Sequence, residues 1–339
     1  MIENKQKSER PRVYALYSTV PFLKPYGGDH ISELETLRWM SLACDVYYNG
    51  VLFDPGSNSA GVEGAEIYPP DGSYDLAYVR DNVAILRQAR ELGLRTLFLG
   101  RVSQEDVFAF SDAIAVHTPQ EAVLIDELYP GFPTFLAEQP GRDGFIPRQN
   151  SRKTGDYRKR WGGGFTLGFL GRIDEASFPN TFYSAKDVLS HYISDMNVIF
   201  AGKVKWKYNL PTDVIYETEY FAPGLMPYAL SACDATIGIE QPEAEHAGSN
   251  RTIECIRCGV PIVTRPYAAR REQLGDDYPL FFTTVSELVE KMVSLRFDPV
   301  FKAAVSQYIE EIRPRFSYRE IQNRNSDRLI EWLSVEKKA

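Results

Sequence analysis

The chain has 339 residues, of which 44% are apolar and 25% charged, and a formal net charge of −8. That length exceeds one ordinary core and suits two domains, and the acidic balance argues against an extended nucleic-acid surface and for a small anionic ligand in a focused pocket. No apolar run reaches the ~20 residues of a membrane span, the N-terminal MIENKQKSERPR has no apolar signal core, and four cysteines make no disulfide framework, so a cytoplasmic protein is expected.

The first strand runs from Val13 to Ser18. A loop with Pro21, Pro25 and Gly27-Gly28 follows, and then Ile31, Leu34, Leu37 and Met40 recur at helical spacing, which predicts a helix over 31–42. Strands are expected at 45–48 and 74–79, a helix over 82–92 closed by Gly93, and strands at 95–99 and 113–116. Thr118 caps the next helix, with Glu121 at the third position as a capping box requires. From Gly141 to Gly164 the alternation stops in a polar, Gly-rich, basic stretch that reads as a linker.

The alternation restarts with a strand at 165–170, a helix over 181–193, strands at 197–201 and 213–216, and a helix over 225–233. A strand at 235–239, a helix over 251–257 and a strand at 261–264 come next, and a short strand at 280–282 and helices from Ser286 complete the chain. Alternating strand and helix predicts parallel α/β sheets. The reading is therefore two Rossmann-like α/β domains, 1–150 and 165–315, joined by a linker at 151–164 and followed by a C-terminal segment at 316–339. Ligands of such a pair are expected in a cleft at the carboxyl ends of the strands.

The stretch GSNRTIECIRCGVPIV, from Gly248 to Val263, carries the chemistry. It enters a helix near Asn250, and a helix N-terminus offers free N–H groups and a partial positive charge. Gly248 allows close approach, and Ser249 and Asn250 can cap the helix or donate to phosphate. Glu254 lies one turn in, on the face of Asn250 or Arg251, where a carboxylate repels phosphate but accepts bonds from a ribose diol. The plain alternative is a capped amphipathic helix with Glu254 at its solvent edge.

Other candidates are less distinctive. Arg172, at the end of the strand in LGFLGR, has the planar fork a diphosphate needs, or makes a surface ion pair. Tyr26-Gly27-Gly28-Asp29-His30 opens a helix and forms a second cradle or a simple turn. His117 ends a strand; His246 follows the acidic Glu243-Ala-Glu245; the four histidines show no dense metal-ligand spacing. Cys255-Ile-Arg-Cys258 lacks a second cysteine pair and reads as a packed helix face.

Together these residues resemble a family. GFLGRID, NVIFAG, YFAPGLMPYALSACDATIGIE and SNRTIECIRCGVPIV resemble the carboxyl-terminal domain of GT-B glycosyltransferases, especially the retaining family 4 group and its spore-maturation-type relatives. FSYREIQNRNSDRLIEWL resembles the last helix of that fold, which crosses back onto the first domain; GGDHISELETLRWMSLACDVYYNG and SDAIAVHTPQEAVL match the first domain more loosely. The resemblance implies that 1–150 binds the acceptor and 165–315 the nucleotide sugar. It implies Glu254 on the ribose, Ser249, Asn250, Arg251 and Arg172 at the diphosphate, and Gly27 and Gly28 in the loop that closes on the donor. The resemblance also implies that His117 stands near where some relatives have a residue close to the transferred sugar.

Two departures from the family pattern bear on the sugar. The lysine several residues beyond Arg172 is absent, with Lys203 or Lys205 as substitutes; eight positions before Glu254 stands His246, with Glu245 one further back. The expectation is a metal-independent, retaining transfer of a sugar from a UDP- or GDP-sugar to an acceptor hydroxyl. The acceptor, whether glycan, lipid-linked sugar, protein, metabolite or modified nucleobase, is left open. A sugar-nucleotide 2-epimerase and a non-catalytic sugar-nucleotide-binding partner stay open beside it, whereas a nicotinamide enzyme is disfavoured because no Gly-x-Gly-x-x-Gly follows either leading strand.

Overall fold

In a computed structural model of the chain the described residues are 10–17, 28–56, 66–99, 106–170, 179–202, 214–217, 224–238 and 248–335, the side chains of 28–32 excepted. They divide into two compact units, one of residues 1–140 with 319–339 and one of 141–318.

The first unit begins with β1 (Arg12–Tyr17), α1 (Gly28–Met40), β2 (Asp45–Tyr48), β3 (Val51–Leu52), β4 (Leu76–Arg80) and α2 (Val83–Glu91). It continues with β5 (Arg95–Leu99), α3 (Asp106–Phe110), β6 (Ala113–Val116), α4 (Pro119–Leu128) and β7 (Thr134–Leu136). The sheet order is β3-β2-β1-β4-β5-β6-β7, parallel except for the antiparallel β3 edge. Both faces are covered, so successive residues of each strand enter different cores. Leu76 and Tyr78 of β4 pack with α1, while Ala77 and Val79 pack with α2. Thr118 caps α4 as expected from the sequence, accepting from the Glu121 N–H at 3.1 Å.

The C-terminal helix, Tyr318–Ser334, belongs almost wholly to this unit. Leu329 is buried beside the α1 face of the sheet, with the partly buried Trp332 and Leu333 packed against the same core. Asn325, 0% exposed, gives Nδ2–H to Glu138 O at 2.7 Å and accepts from Glu138 N–H at 3.0 Å. Arg324 and Arg328 hold the Glu138 carboxylate at 2.8 and 2.7 Å. Burial works to raise the Glu138 pKa, but the two arginines outweigh it and bring it below the usual value. The C-terminal helix thus crosses back onto the first unit, as the sequence led us to expect.

The second unit starts at Gly141 and runs through α5 (Arg152–Arg160), β8 (Phe165–Leu170), α6 (Asn180–Tyr192), β9 (Met196–Ala201), β10 (Ile215–Glu217) and α7 (Met226–Ala232). It continues with β11 (Ala235–Ile237), α8 (Asn250–Arg257), β12 (Ile262–Val263), α9 (Ala268–Leu274), α10 (Val285–Phe297) and α11 (Pro299–Ile312); the C-terminal helix is α12. The sheet is fully parallel, in the order β10-β9-β8-β11-β12.

The stretch read as a linker at 151–164 carries α5 instead. Thr154 is wholly buried and donates to Arg148 O at 2.7 Å, and Trp161 is buried in the second core. These two anchors turn a charged nonapeptide into one face of a packed helix, and the change of unit falls earlier, between Pro140 and Gly141. The strand expected at 280–282 is reduced to one bridge, Thr264 to Phe281.

Candidate functional site: the amino end of helix α8

β8 and β11 are neighbours whose onward connections diverge, and ligands of open α/β sheets bind outside the carboxyl ends of strands at such a switch point. α8 begins at that edge. Ser249 is its N-cap: its Oγ accepts from Thr252 N–H at 3.3 Å, and its own N–H reaches Gln273 Oε1 at 3.4 Å. The hydroxyl oxygen is therefore used by the helix, as capping predicts. Asn250 is the first helical residue and is half-buried.

Arg251 follows. Its guanidinium carbon lies 4.5 Å from the centre of the Phe169 ring, next to the last residue of β8, and its Nη1 is buried without a hydrogen-bond partner among the described residues. Arg270, in the first turn of α9, is almost fully buried and donates to Gln273 Oε1 at 3.0 Å. Both guanidiniums are lowered to about 10, chiefly by burial; for Arg270 the Arg251 charge adds to the fall, while Cys255 and Glu254 oppose it at Arg251. Two desolvated cations near the positive end of a helix are an arrangement that an anion stabilises.

Glu254, one turn inside, is 6% exposed, which rules out the solvent-edge reading. Both its oxygens are engaged: Arg142 Nε donates to Oε1 at 2.6 Å and Nη2 to Oε2 at 2.9 Å. The Arg142 guanidinium lies 4.4 Å over the Phe145 ring, and Arg257 Nη1 donates to Arg142 O at 2.8 Å. Gly141 has φ +65°, and a Cβ there would stand 3.2 Å from Ile253 Cγ2, so the chain passes α8 closely at a place that favours glycine. Cys255 and Cys258 are buried, and burial pushes the Cys255 thiol up to about 12 and the Cys258 thiol up as well. They form a packed face, as read from the sequence.

No protein-family model matches the chain, and no curated protein matches it. Solved structures do. Anabaena HepE in complex with UDP and glucose matches with a TM-score of 0.71 at 15% identity, over 95% of this chain and 100% of that one. Sucrose-phosphate synthase from Thermosynechococcus elongatus matches with 0.70 at 11% identity, over 96% and 100%. The E. coli trehalose-6-phosphate structure bound with UDP-2-fluoro glucose matches with 0.65 at 10% identity, over 96% and 99%. The fold is GT-B.

In this GT-B chain the first unit offers two polar groups at the carboxyl edge of its sheet. His117 follows β6; its N–H donates to Glu121 Oε2 at 2.6 Å, and its ring Nδ1 lies 2.9 Å from Ala137 O. A carbonyl only accepts, so Nδ1 carries a proton. Glu33, which the sequence reading passed over, is wholly buried on α1, and neither of its oxygens has a hydrogen-bond partner among the described residues. Burial raises its pKa to about 7; Arg80 opposes the rise and Asp81 adds to it.

Four predicted residues, Ser249, Asn250, Arg251 and Glu254, are thus together on one GT-B helix end, and His117 lies in the other unit. Gly28 opens α1. Gly27, Arg172, Lys203, Glu245 and His246 lie outside the described residues. Sequence reading missed Arg142, Arg270 and Gln273. Arg142 sat in an apparent linker, and Arg270 and Gln273 belong to α9, whose seven residues gave no periodic signal. Among the described residues no helix is long and apolar enough to cross a membrane, and no group of three or more metal-ligating side chains occurs.

Proposed function

We propose that the chain is a glycosyltransferase that moves a sugar from a nucleoside-diphosphate sugar to an acceptor hydroxyl. The observation that carries this is the pairing of Arg251 and Arg270 at the amino end of α8 with the buried Glu254 one turn further in. Cations and free N–H groups suit the diphosphate; a desolvated carboxylate suits the ribose diol. HepE was solved with UDP-glucose and the E. coli enzyme with UDP-2-fluoro glucose, which supports a UDP-sugar as the first donor to try and a GDP-sugar as the next.

In the reaction the bond from the anomeric carbon to the diphosphate oxygen breaks, and a bond from that carbon to the acceptor oxygen forms. The acceptor's proton leaves to the departing phosphate or to water. Negative charge grows on the leaving diphosphate, and fixed donors aimed at it lower the barrier. Arg251, Arg270 and the first N–H groups of α8 take that role in this reading, and Glu254 holds the nucleoside. Arg172 and Lys203 enter from the sequence resemblance, as do Gly27 and Gly28 in the loop that closes on the donor, His117, Glu245 and His246 on the sugar side, and retention of configuration.

The test is a thermal-shift screen of UDP-, GDP-, ADP-, CMP- and dTDP-linked sugars, followed by turnover with a panel of hydroxyl acceptors. A ligand at a hundredfold its dissociation constant adds about 2.7 kcal/mol of stability. A screen in which none of the five raises the melting temperature defeats the reading. An epimerised donor formed without any acceptor replaces transfer by epimerisation.

A further inference from the structure

We propose that Arg142 is a positioning residue for the nucleotide, holding the Glu254 carboxylate in the one orientation that accepts both ribose hydroxyls. This deepens the reading above and rests on it.

The argument starts from lone pairs. An ionised carboxylate has about four acceptor sites, two on each oxygen. The Arg142 fork takes one on each, at 2.6 and 2.9 Å. Two sites remain, one per oxygen, and a vicinal diol brings two O–H donors. A guanidinium and a cis-diol can therefore share this carboxylate completely, the first from one side and the second from the other. The fork also fixes the plane of the carboxylate, because two parallel bonds define an orientation where one bond does not.

A simpler role would be to fasten the chain after Gly141 to α8, but other contacts already do so. Arg257 Nη1 holds the Arg142 carbonyl at 2.8 Å, Gln149 Nε2 holds the Cys258 carbonyl at 2.8 Å, and Phe145 is buried in the core. A buried ion pair gains little net stability over an apolar pair of similar size, so fastening does not explain why charge is kept here. Setting the direction of a ligand-binding acid does. The Phe145 ring beneath the guanidinium completes the support by fixing the face of Arg142.

The experiment compares UDP with 2′-deoxy-UDP, and GDP with 2′-deoxy-GDP, by calorimetry on the full chain and on Arg142→Ala, Arg142→Lys and Glu254→Gln. The wild type is expected to prefer the ribo form by about tenfold or more, the value of a hydrogen bond to a charged group. In Arg142→Ala that preference should shrink to nearly the level of Glu254→Gln. Affinity for the 2′-deoxy form should change less than about threefold, because the amino end of α8 is untouched. Arg142→Lys keeps the charge and loses the fork, so it too should lose most of the preference; it decides the matter if the alanine variant does not fold. A full wild-type preference in the folded variants overturns the proposal, as does an equal weakening toward ribo and 2′-deoxy forms, which marks a fastener only. If the wild type binds none of the four nucleotides, the functional reading fails and this proposal with it; a wild type that binds ribo and 2′-deoxy forms alike leaves the diphosphate reading standing and removes this one.

Discussion

Arg251 lies 4.5 Å over the ring of Phe169, which carries a cation from the first turn of α8 to the carboxyl end of β8. Its buried Nη1 has no partner among the described residues, and Arg270 nearby adds a like charge. Arg251→Met keeps the stem that covers the ring and removes the charge. The unliganded protein is expected to be as stable as wild type or more so, since a buried like-charge contact is relieved. Affinity for the nucleoside diphosphate should fall by about tenfold to a hundredfold, the cost of one charged hydrogen bond. Calorimetry with UDP and urea unfolding on one preparation check both halves. A large loss of stability with unchanged affinity would make Arg251 a structural residue.

The parallel α/β plan was legible because strand and helix alternate with clear periodicity, and helix caps such as Thr118 and Ser249 announced themselves by residue type. The amino end of α8 was legible for the same reason: its capping residue, its break at Gly259 and its one buried acid are local features. What stayed hidden depends on pairing at long range. Arg142 meets Glu254 across 112 residues, and nothing in either neighbourhood points to the other. α5 has a polar, charged sequence and is held as a helix against the core by Thr154 and Trp161. Glu33 sits one residue before Leu34 in a helix read by its apolar stripe, so its burial shows only when β4 is laid against α1.

Asn325 satisfies both backbone groups of Glu138, continuing past β7 a pairing that a further strand would otherwise supply. Replacement by Leu keeps the volume and strands a donor and an acceptor in the interior. Asn325→Leu is expected to destabilise the first unit by about 1–3 kcal/mol. Glu138→Gln removes only the charge of a half-buried carboxylate and should cost less, because that partnership is partly screened by water. Urea unfolding of the two variants should rank them in that order; the reverse order would place the stability of the C-terminal helix in its ion pairs.

All four cysteines are free and buried, and burial pushes the thiols of Cys44 and Cys255 up to about 12, those of Cys233 and Cys258 also rising. Thiolate is the reactive form, so these residues should be inert in the folded state. A colorimetric thiol titration at pH 8 is expected to read close to zero for the native protein and four after unfolding in denaturant. Rapid reaction of one or two thiols in the native protein would revive a redox role for the Cys-x-x-Cys pair.

Glu33 gives the chain a stability that depends on pH. Its carboxyl is enclosed between α1 and β4, and among the described residues Arg80, Asp81 and the buried Tyr78 are the ionisable groups facing it. Burial raises its pKa from 4.5 to about 7. In the window between those values the folded protein keeps a proton that the unfolded chain releases, so raising the pH favours unfolding. The stabilising effect of the neutral acid is whole below the lower value and lost as pH passes the upper one. A difference of this size corresponds to on the order of 3 kcal/mol. Glu33→Gln cannot ionise. Relative to wild type it should therefore gain stability between pH 5 and pH 8, with most of the gain complete by pH 8. Urea unfolding of both proteins at the two pH values isolates this residue, because the other titrating groups cancel in the comparison. An unchanged difference between the two proteins at pH 5 and pH 8 would mean that Glu33 is already ionised in the folded state and finds its compensation in Arg80.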